Sequence, residues 1–380
     1  MTGVTLVVFH RGPRPDDPPL TAILQRARRV VLEHHLRLFR ASGVAAILVA
    51  EPAHDRPFGE QLSQIVAANR IERLVMLGSG AAARLRDEDA RRLLAVAGSA
   101  ARRAATNNRY SSDVCAISDA TVLLDLPPLP SDNALPRWLE RETDVLVEEL
   151  PGRDRLAFDV DSPLDAGVLR LTHDLPAAVR AGLPSVDVPR LEELRAVCAD
   201  RRRELLVFGR SSARTMRWLE RSVRCRVRFL AEERGLRAAS PLAEGAGART
   251  WNAAPGGPPH TRAARGDPSP RGARPPRATL GRLLDASAPA AFAGIVADLA
   301  DGAVVDTRVL LADHLGSDEA AWPSAEDRFA SDLHRHASVE DPWLRDLTAS
   351  AASSALPILL GGHTLVGPGI PIVCGRGRPR

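Results

Sequence analysis

Val4-Thr-Leu-Val-Val-Phe-His10, Val44-Ala-Ala-Ile-Leu-Val-Ala50 and Leu74-Val-Met-Leu77 decide the fold. Each is a short apolar run rich in β-branched or large aliphatic residues, the pattern of a strand buried on both faces. Between them lie segments with helical spacing. In Leu20–Ala41 the residues Ile23, Ala27, Val30, Val31, His34 and Leu38 recur on one face, and Ser42-Gly43 closes the helix. Phe58–Asn69 and Asp87–Ala97 read as two further helices. Strand and helix alternate at the spacing of a parallel sheet, whose crossovers should be right-handed. The expected architecture is therefore α/β, a mostly parallel open sheet with helices on both faces, in which 4–9, 44–50 and 74–77 are neighbours.

Outward from this core the pattern loosens. Thr106-Asn-Asn-Arg-Tyr-Ser-Ser-Asp113 is a dense polar run before the apolar Val114–Ile117. Trp138–Glu149 reads as a helix and Leu156–Val160 as a strand. The strand runs into Asp161-Ser-Pro-Leu-Asp165, which has the form of a helix start with Ser162 as N-cap and Pro163 in the first turn. A second alternating unit follows: helix 190–201, strand 205–208, helix 212–221 and strand 225–230. Gly245–Arg282 is dominated by Gly, Pro, Arg and Ala, and holds too little aliphatic surface to offset the entropy of ordering. It reads as a disordered linker or as an out-of-frame reading of GC-rich DNA. Helical and strand signals resume over 290–299, 304–311, 343–353 and 357–360. The expected division is residues 1–172 as one α/β domain, with 173–244 and 283–375 as a second α/β region interrupted by the 245–282 linker.

Composition narrows the chemistry. All 51 basic residues are arginine, so a Walker A lysine, a Schiff-base lysine and a lysine general base are excluded. The linker carries seven arginines against Asp267, and the tail 375–380 three more. Removing both from a chain of net charge +4 leaves a body of net charge −5. Basicity confined to such segments disfavours a specific nucleic-acid partner, which needs a basic face on a folded element. Cys115, Cys198, Cys225 and Cys374 form no CxxC pair and read as reduced apolar residues. No apolar run is long enough to span a membrane, and no signal peptide precedes Val4–Phe9, so a cytoplasmic protein without a membrane partner is expected.

Four loops carry candidate chemistry. His10-Arg-Gly-Pro-Arg-Pro15 follows the first strand, where α/β ligands bind, and Arg11, Gly12 and Arg14 offer a phosphate cradle. Its plainer reading is a solvated loop. Gly78-Ser79-Gly80 after the third strand permits close backbone approach by a nucleotide, or simply makes a tight turn. In the third, Asn107 and Asn108 have groups for a base or ribose and Asp113 for a divalent cation, against a reading as turn chemistry for 114–117. In the fourth, Asp159 and Asp161 alternate on an expected strand and share a face toward one ion, unless Asp161 serves the helix cap. Asp306-Thr-Arg308, Glu326–Asp332 and Gly361-Gly-His363 rank behind these, His363 being the most notable.

Residues 1–172 resemble the nucleotidyltransferase-like superfamily with a glycosyltransferase-A type fold, in particular the MobA-like and phospholactate guanylyltransferase groups. The residues that carry this are the strand–loop–helix at 4–39, the strand GVAAILVAE at 43–51, and FDVDSPLD at 158–165, which is similar to the D-x-D-[ST]-P-x-D-L ending of those groups. The resemblance implies a nucleoside triphosphate bound with Mg²⁺, and transfer of its nucleoside monophosphate to a small phosphorylated acceptor with loss of pyrophosphate. Arg11 and Arg14 would hold the β- and γ-phosphates, and Asp113 with Asp159 or Asp161 the metal. Two features depart from the family: the first loop is poor in glycine, and the usual phosphate-contacting lysine is replaced at best by Arg14 or Arg26. A decayed nucleotide or sugar-nucleotide binder and a nucleotide-sugar glycosyltransferase are the alternatives on the same fold.

Overall fold

The computed structural model describes residues 3–53, 55–232, 277–316 and 318–375. The first sheet is built from β1 (Thr5–Phe9), β2 (Ala46–Ala50), β3 (Leu74–Gly78), β4 (Arg103–Thr106), β5 (Val114–Ile117) and β6 (Leu146–Glu149). Their order is β2-β1-β3-β5-β4-β6. β1 is parallel to both neighbours, with Thr5 opposite Ala46 and Leu74. The three strands are parallel neighbours as expected, but β2 is an edge strand with Val49 exposed rather than a strand buried on both faces. β5 alone runs the other way, antiparallel to β3 and β4. That reversal brings Asp113, at its amino end, to the edge where β1, β3 and β4 finish.

The second sheet is all parallel: β7 (Glu204–Gly209), β8 (Arg226–Ala231), β9 (Gly302–Asp306) and β10 (Ile358–Gly361), in the order β10-β9-β7-β8. The crossovers leave β7 in opposite directions, which makes the β7/β9 junction a topological switch point. Gly209 sits there at φ +119°, and a Cβ on it would lie 2.3 Å from the Asp306 Cβ. Only glycine lets these two strand ends approach so closely.

One apolar cluster joins the two sheets. Leu24, Val31, Leu164 and Val168 from the first half pack with Val207, Val304, Leu359, Val366 and Val373 from the second. The Pro19–Ala41 helix also relies on the second half for its start. Its N-cap is Pro18, which has no capping side chain. Glu326 supplies the missing acceptors, taking the Leu20 N–H at 2.8 Å, the Thr21 N–H at 3.1 Å and the Thr21 hydroxyl at 3.2 Å.

Three expectations need correction. Leu156–Val160 is no strand: Arg153–Leu156 is a short helix, and Phe158–Val160 lies outside the sheet. Its backbone pairs instead with the turn after β3, Val160 N–H to Gly80 O at 2.9 Å and Ala83 N–H to Phe158 O at 2.8 Å. Trp138–Glu149 divides into the Leu135–Glu142 helix and β6, because 146–149 pairs with β4. The expected linker 245–282 lies outside the described residues up to 276, yet Thr279–Asp285 is a helix with Leu280 and Leu284 buried. No single helix among the described residues is long and apolar enough to cross a membrane.

Candidate cation-binding site

The carboxyl edges of both sheets meet over the segment 158–165. From the first sheet come the turn after β3 and Asp113 before β5. From the second come Arg210 after β7, Asp306 at the end of β9, and Gly361-Gly362-His363 after β10. Three donors converge between them: carboxylate oxygens of Asp159 and Asp161 and a ring nitrogen of His363 all lie within 4.8 Å of one another. His363 Nε2 is 3.5 Å from Asp159 Oδ2. Metal–ligand bonds of about 2.0–2.3 Å set neighbouring donors roughly 3–4.5 Å apart, so the spacing fits one ion.

Each member is held by its surroundings. The buried Asp159 accepts the Ala82 N–H at 3.0 Å through Oδ1, and its carbonyl accepts the Thr364 hydroxyl at 3.1 Å. Asp161 is the open member, with 54% of its side chain exposed, and accepts from Arg28 Nη2 at 2.9 Å. The same arginine donates Nε to the Val160 carbonyl at 2.8 Å. Helix capping falls to other residues. The Ser162 hydroxyl accepts the Asp165 N–H at 3.2 Å, and Asp165 Oδ2 accepts the Asp161 N–H at 3.1 Å. The cap therefore leaves the Asp161 carboxylate for other work.

Charge is in excess here. Burial, and then the charge of Asp159, pushes Asp113 well above the usual carboxylate range; burial and then Asp161 do the same to Asp159. Asp113 and Asp159 are close enough that the charge of Asp159 disfavours ionisation of Asp113. Burial raises Asp132 to about 6 and, with Asp161, raises Asp165 to about 7. Asp165 Oδ1 is buried with no partner. For Asp161, the cleft walls strip water from the group, yet Arg28, His363 and Arg210 hold it below its usual range. A divalent cation relieves such a crowd of carboxylates. The Asp–Asp–His donor set suits Mn²⁺ or Zn²⁺ as well as the expected Mg²⁺, which prefers oxygen throughout.

The other candidate residues are placed differently. Asn107 is fully used by the protein: Nδ2 donates to Asp113 at 2.6 Å and to the Leu156 carbonyl at 3.2 Å, and Oδ1 accepts the Asp113 N–H at 3.0 Å. It positions Asp113. Asn108 makes a local turn, accepting the Tyr110 N–H at 3.1 Å. Ser79 Oγ bonds His10 Nδ1 at 2.9 Å, and a Cβ on Gly80 would lie 2.8 Å from the Val160 carbonyl. The Gly78-Ser79-Gly80 turn thus has one neighbour already, the segment that bears Asp159 and Asp161. Arg11 is ion-paired with Asp17, and Arg14 with Glu51 at 2.8 Å, while Gly12 faces open space. Arg26 lines a separate hollow of about 540 Å³ with Ile23, Val30 and Gly182, which none of these acids lines.

The sequence reading ranked His363 and Arg308 too low and missed Arg210. His363 had only its Gly-Gly neighbour as a signal. Arg308 was noted only within the lower-ranked Asp306-Thr-Arg308, and Arg210 had no signal beyond its place at a strand end. Arg210 donates to Asp306 at 2.6 Å and Arg308 to Asp332 at 2.7 Å, so the second sheet presents balanced pairs to the cleft. Comparison with protein-family models, with curated proteins and with solved structures gives no match.

Proposed function

We propose that the chain is a divalent-cation-dependent nucleotidyltransferase. It moves a nucleoside monophosphate from a nucleoside triphosphate to a small phosphorylated acceptor and releases pyrophosphate. One observation carries the reading. Asp113 and the Asp159/Asp161 pair, 46 residues apart, come together at the carboxyl edges of two sheets, where burial and mutual repulsion disfavour the Asp113 and Asp159 charges and a cation would relieve them. Asp159, Asp161 and His363 would hold the ion. It would supply charge neutralisation at the phosphates and alignment for in-line attack.

The protein's own part is positioning. Asn107 fixes Asp113, Ala82 N–H fixes Asp159, and Arg28 stands beside Asp161 where phosphate charge would gather. Arg14 can exchange the exposed Glu51 for phosphate at little cost, since such surface pairs are worth about 0–1 kcal/mol. Arg11 is held more firmly by Asp17, whose side chain is 3% exposed. That commitment favours, as second reading, a protein that takes a nucleotide or sugar nucleotide with fewer phosphates to hold.

Pyrophosphate release distinguishes them. The full chain is incubated with each nucleoside triphosphate, Mg²⁺ or Mn²⁺, and a pool of phosphorylated small molecules. Release that is lost in Asp161→Asn supports the transferase. Thermal stabilisation by nucleotide and cation without any release supports the binder. Neither effect with any nucleotide overturns both.

A further inference from the structure

Three of the four cysteines meet at one point, although 27 and 149 residues separate them. Cys198 lies at the end of the Leu191–Ala199 helix, Cys225 just before β8, and Cys374 just after the Ile370–Val373 helix. All three are buried in the same apolar cluster. The Cys198 carbonyl accepts the Arg224 N–H at 2.8 Å and the Cys225 N–H at 3.4 Å. One turn earlier on the same helix, Arg195 donates to the carbonyls of Ile372 and Val373, both at 3.2 Å, which draws Cys374 alongside. The Cys198 thiol interacts with those of Cys225 and Cys374.

One metal ion does not explain the group. Among the described residues these sulfurs do not form a set with every atom within 4.8 Å of the others. Simple packing does not require three sulfurs together either. A disulfide needs α-carbons about 4.4–6.8 Å apart, and the Cys225 N–H reaching the Cys198 carbonyl at 3.4 Å makes these two the backbone-linked pair of the three.

We propose that Cys198 is a site of reversible thiol–disulfide modification, closing a bond to Cys225 and turning to Cys374 when Cys225 is absent. The co-reactant is a small-molecule disulfide such as oxidised glutathione. One protein thiolate attacks a sulfur of the reagent and expels the first small thiol. The second protein thiol, losing its proton, attacks the mixed disulfide and expels the second small thiol. Two electrons pass from protein to reagent, both protons end on the released thiols, and the chain loses two hydrogen atoms. Burial keeps the thiols protonated and slows the first attack, so the reaction takes minutes to hours.

The test incubates the full chain with oxidised glutathione, blocks remaining thiols, and maps the peptides without reduction. The expected product is a Cys198–Cys225 link with Cys115 and Cys374 unlinked. In Cys225→Ser the link moves to Cys198–Cys374, and in Cys198→Ser no internal link forms. Thermal melts of each variant confirm that the fold is kept. Four unlinked thiols, glutathione adducts alone, or a different link in the unmodified sequence overturn the proposal.

Discussion

Asp161→Asn preserves shape and deletes one charge, and its effects on stability and on cation affinity separate cleanly. The Asp161 carboxylate faces Arg28 at 2.9 Å, with 28% of the arginine side chain and 54% of the carboxylate exposed. A pair so open contributes at most about 1 kcal/mol. Its loss is offset because Asp159, Asp165 and Asp132 all feel the charge of Asp161 and are relieved when it goes. The metal-free protein should therefore change stability by no more than about 1 kcal/mol in either direction. Cation affinity has no such compensation, because an anionic donor disappears from a set of three. Loss of an outer-shell partner alone typically costs 10–100-fold in metal affinity, so loss of a donor should cost at least about 100-fold, or about 2.7 kcal/mol. Titration calorimetry with MnCl₂ on both proteins reads the affinity, and thermal melts in chelator read the stability. Equal affinities with an unchanged melting temperature would refute the reasoning.

Glu326→Ala should remove three hydrogen bonds from the first turn of the Pro19–Ala41 helix and cost about 1–2 kcal/mol in urea unfolding, with Glu326→Gln recovering part of it. Gly209→Ala should cost more, about 2–3 kcal/mol, since it combines φ +119° with a Cβ placed 2.3 Å from Asp306; a melting temperature within a degree of the parent would contradict the close approach. Asp165 and Asp132, raised to about 7 and about 6, bind protons in the folded state that the unfolded chain has released above about pH 4. Stability should be fullest below that pH and fall as the pH rises through 7, by a few kcal/mol. Asp165→Asn should flatten the fall, because its amide oxygen still accepts from the Asp161 N–H while nothing remains to ionise; an unchanged profile would count against it.

The sequence was most legible where local pattern and tertiary role agree. Val4–Phe9 and Leu74–Leu77 read as strands because a strand covered on both faces is apolar throughout, whereas Val44–Ala50 is as apolar yet lies at the sheet edge with Val49 exposed. β4 was lost because Arg103-Ala-Ala-Thr106 lacks the bulky residues that advertise a strand. Phe158–Val160 was mistaken for a strand because Phe158 and Val160 alternate with Asp159; it buries both apolar side chains while bonding a turn rather than a sheet. Asp159 and Asp161 converge for a different reason from the one expected, since the pleat that was to align them is absent. His363 reaches Asp159 across 204 positions through the packing of two sheets, which no local signal encodes. The cysteine cluster was invisible for the same reason.

The central claim is that Asp159, Asp161 and His363 hold a cation that meets a nucleotide's phosphates. Pulsed paramagnetic resonance of the Mn²⁺-loaded chain tests it directly. The account predicts a histidine nitrogen coupling that disappears in His363→Ala, and a phosphorus coupling that arises when a nucleoside triphosphate is added. Bound Mn²⁺ with no nitrogen coupling, or with no phosphorus coupling for any nucleoside triphosphate, would contradict it.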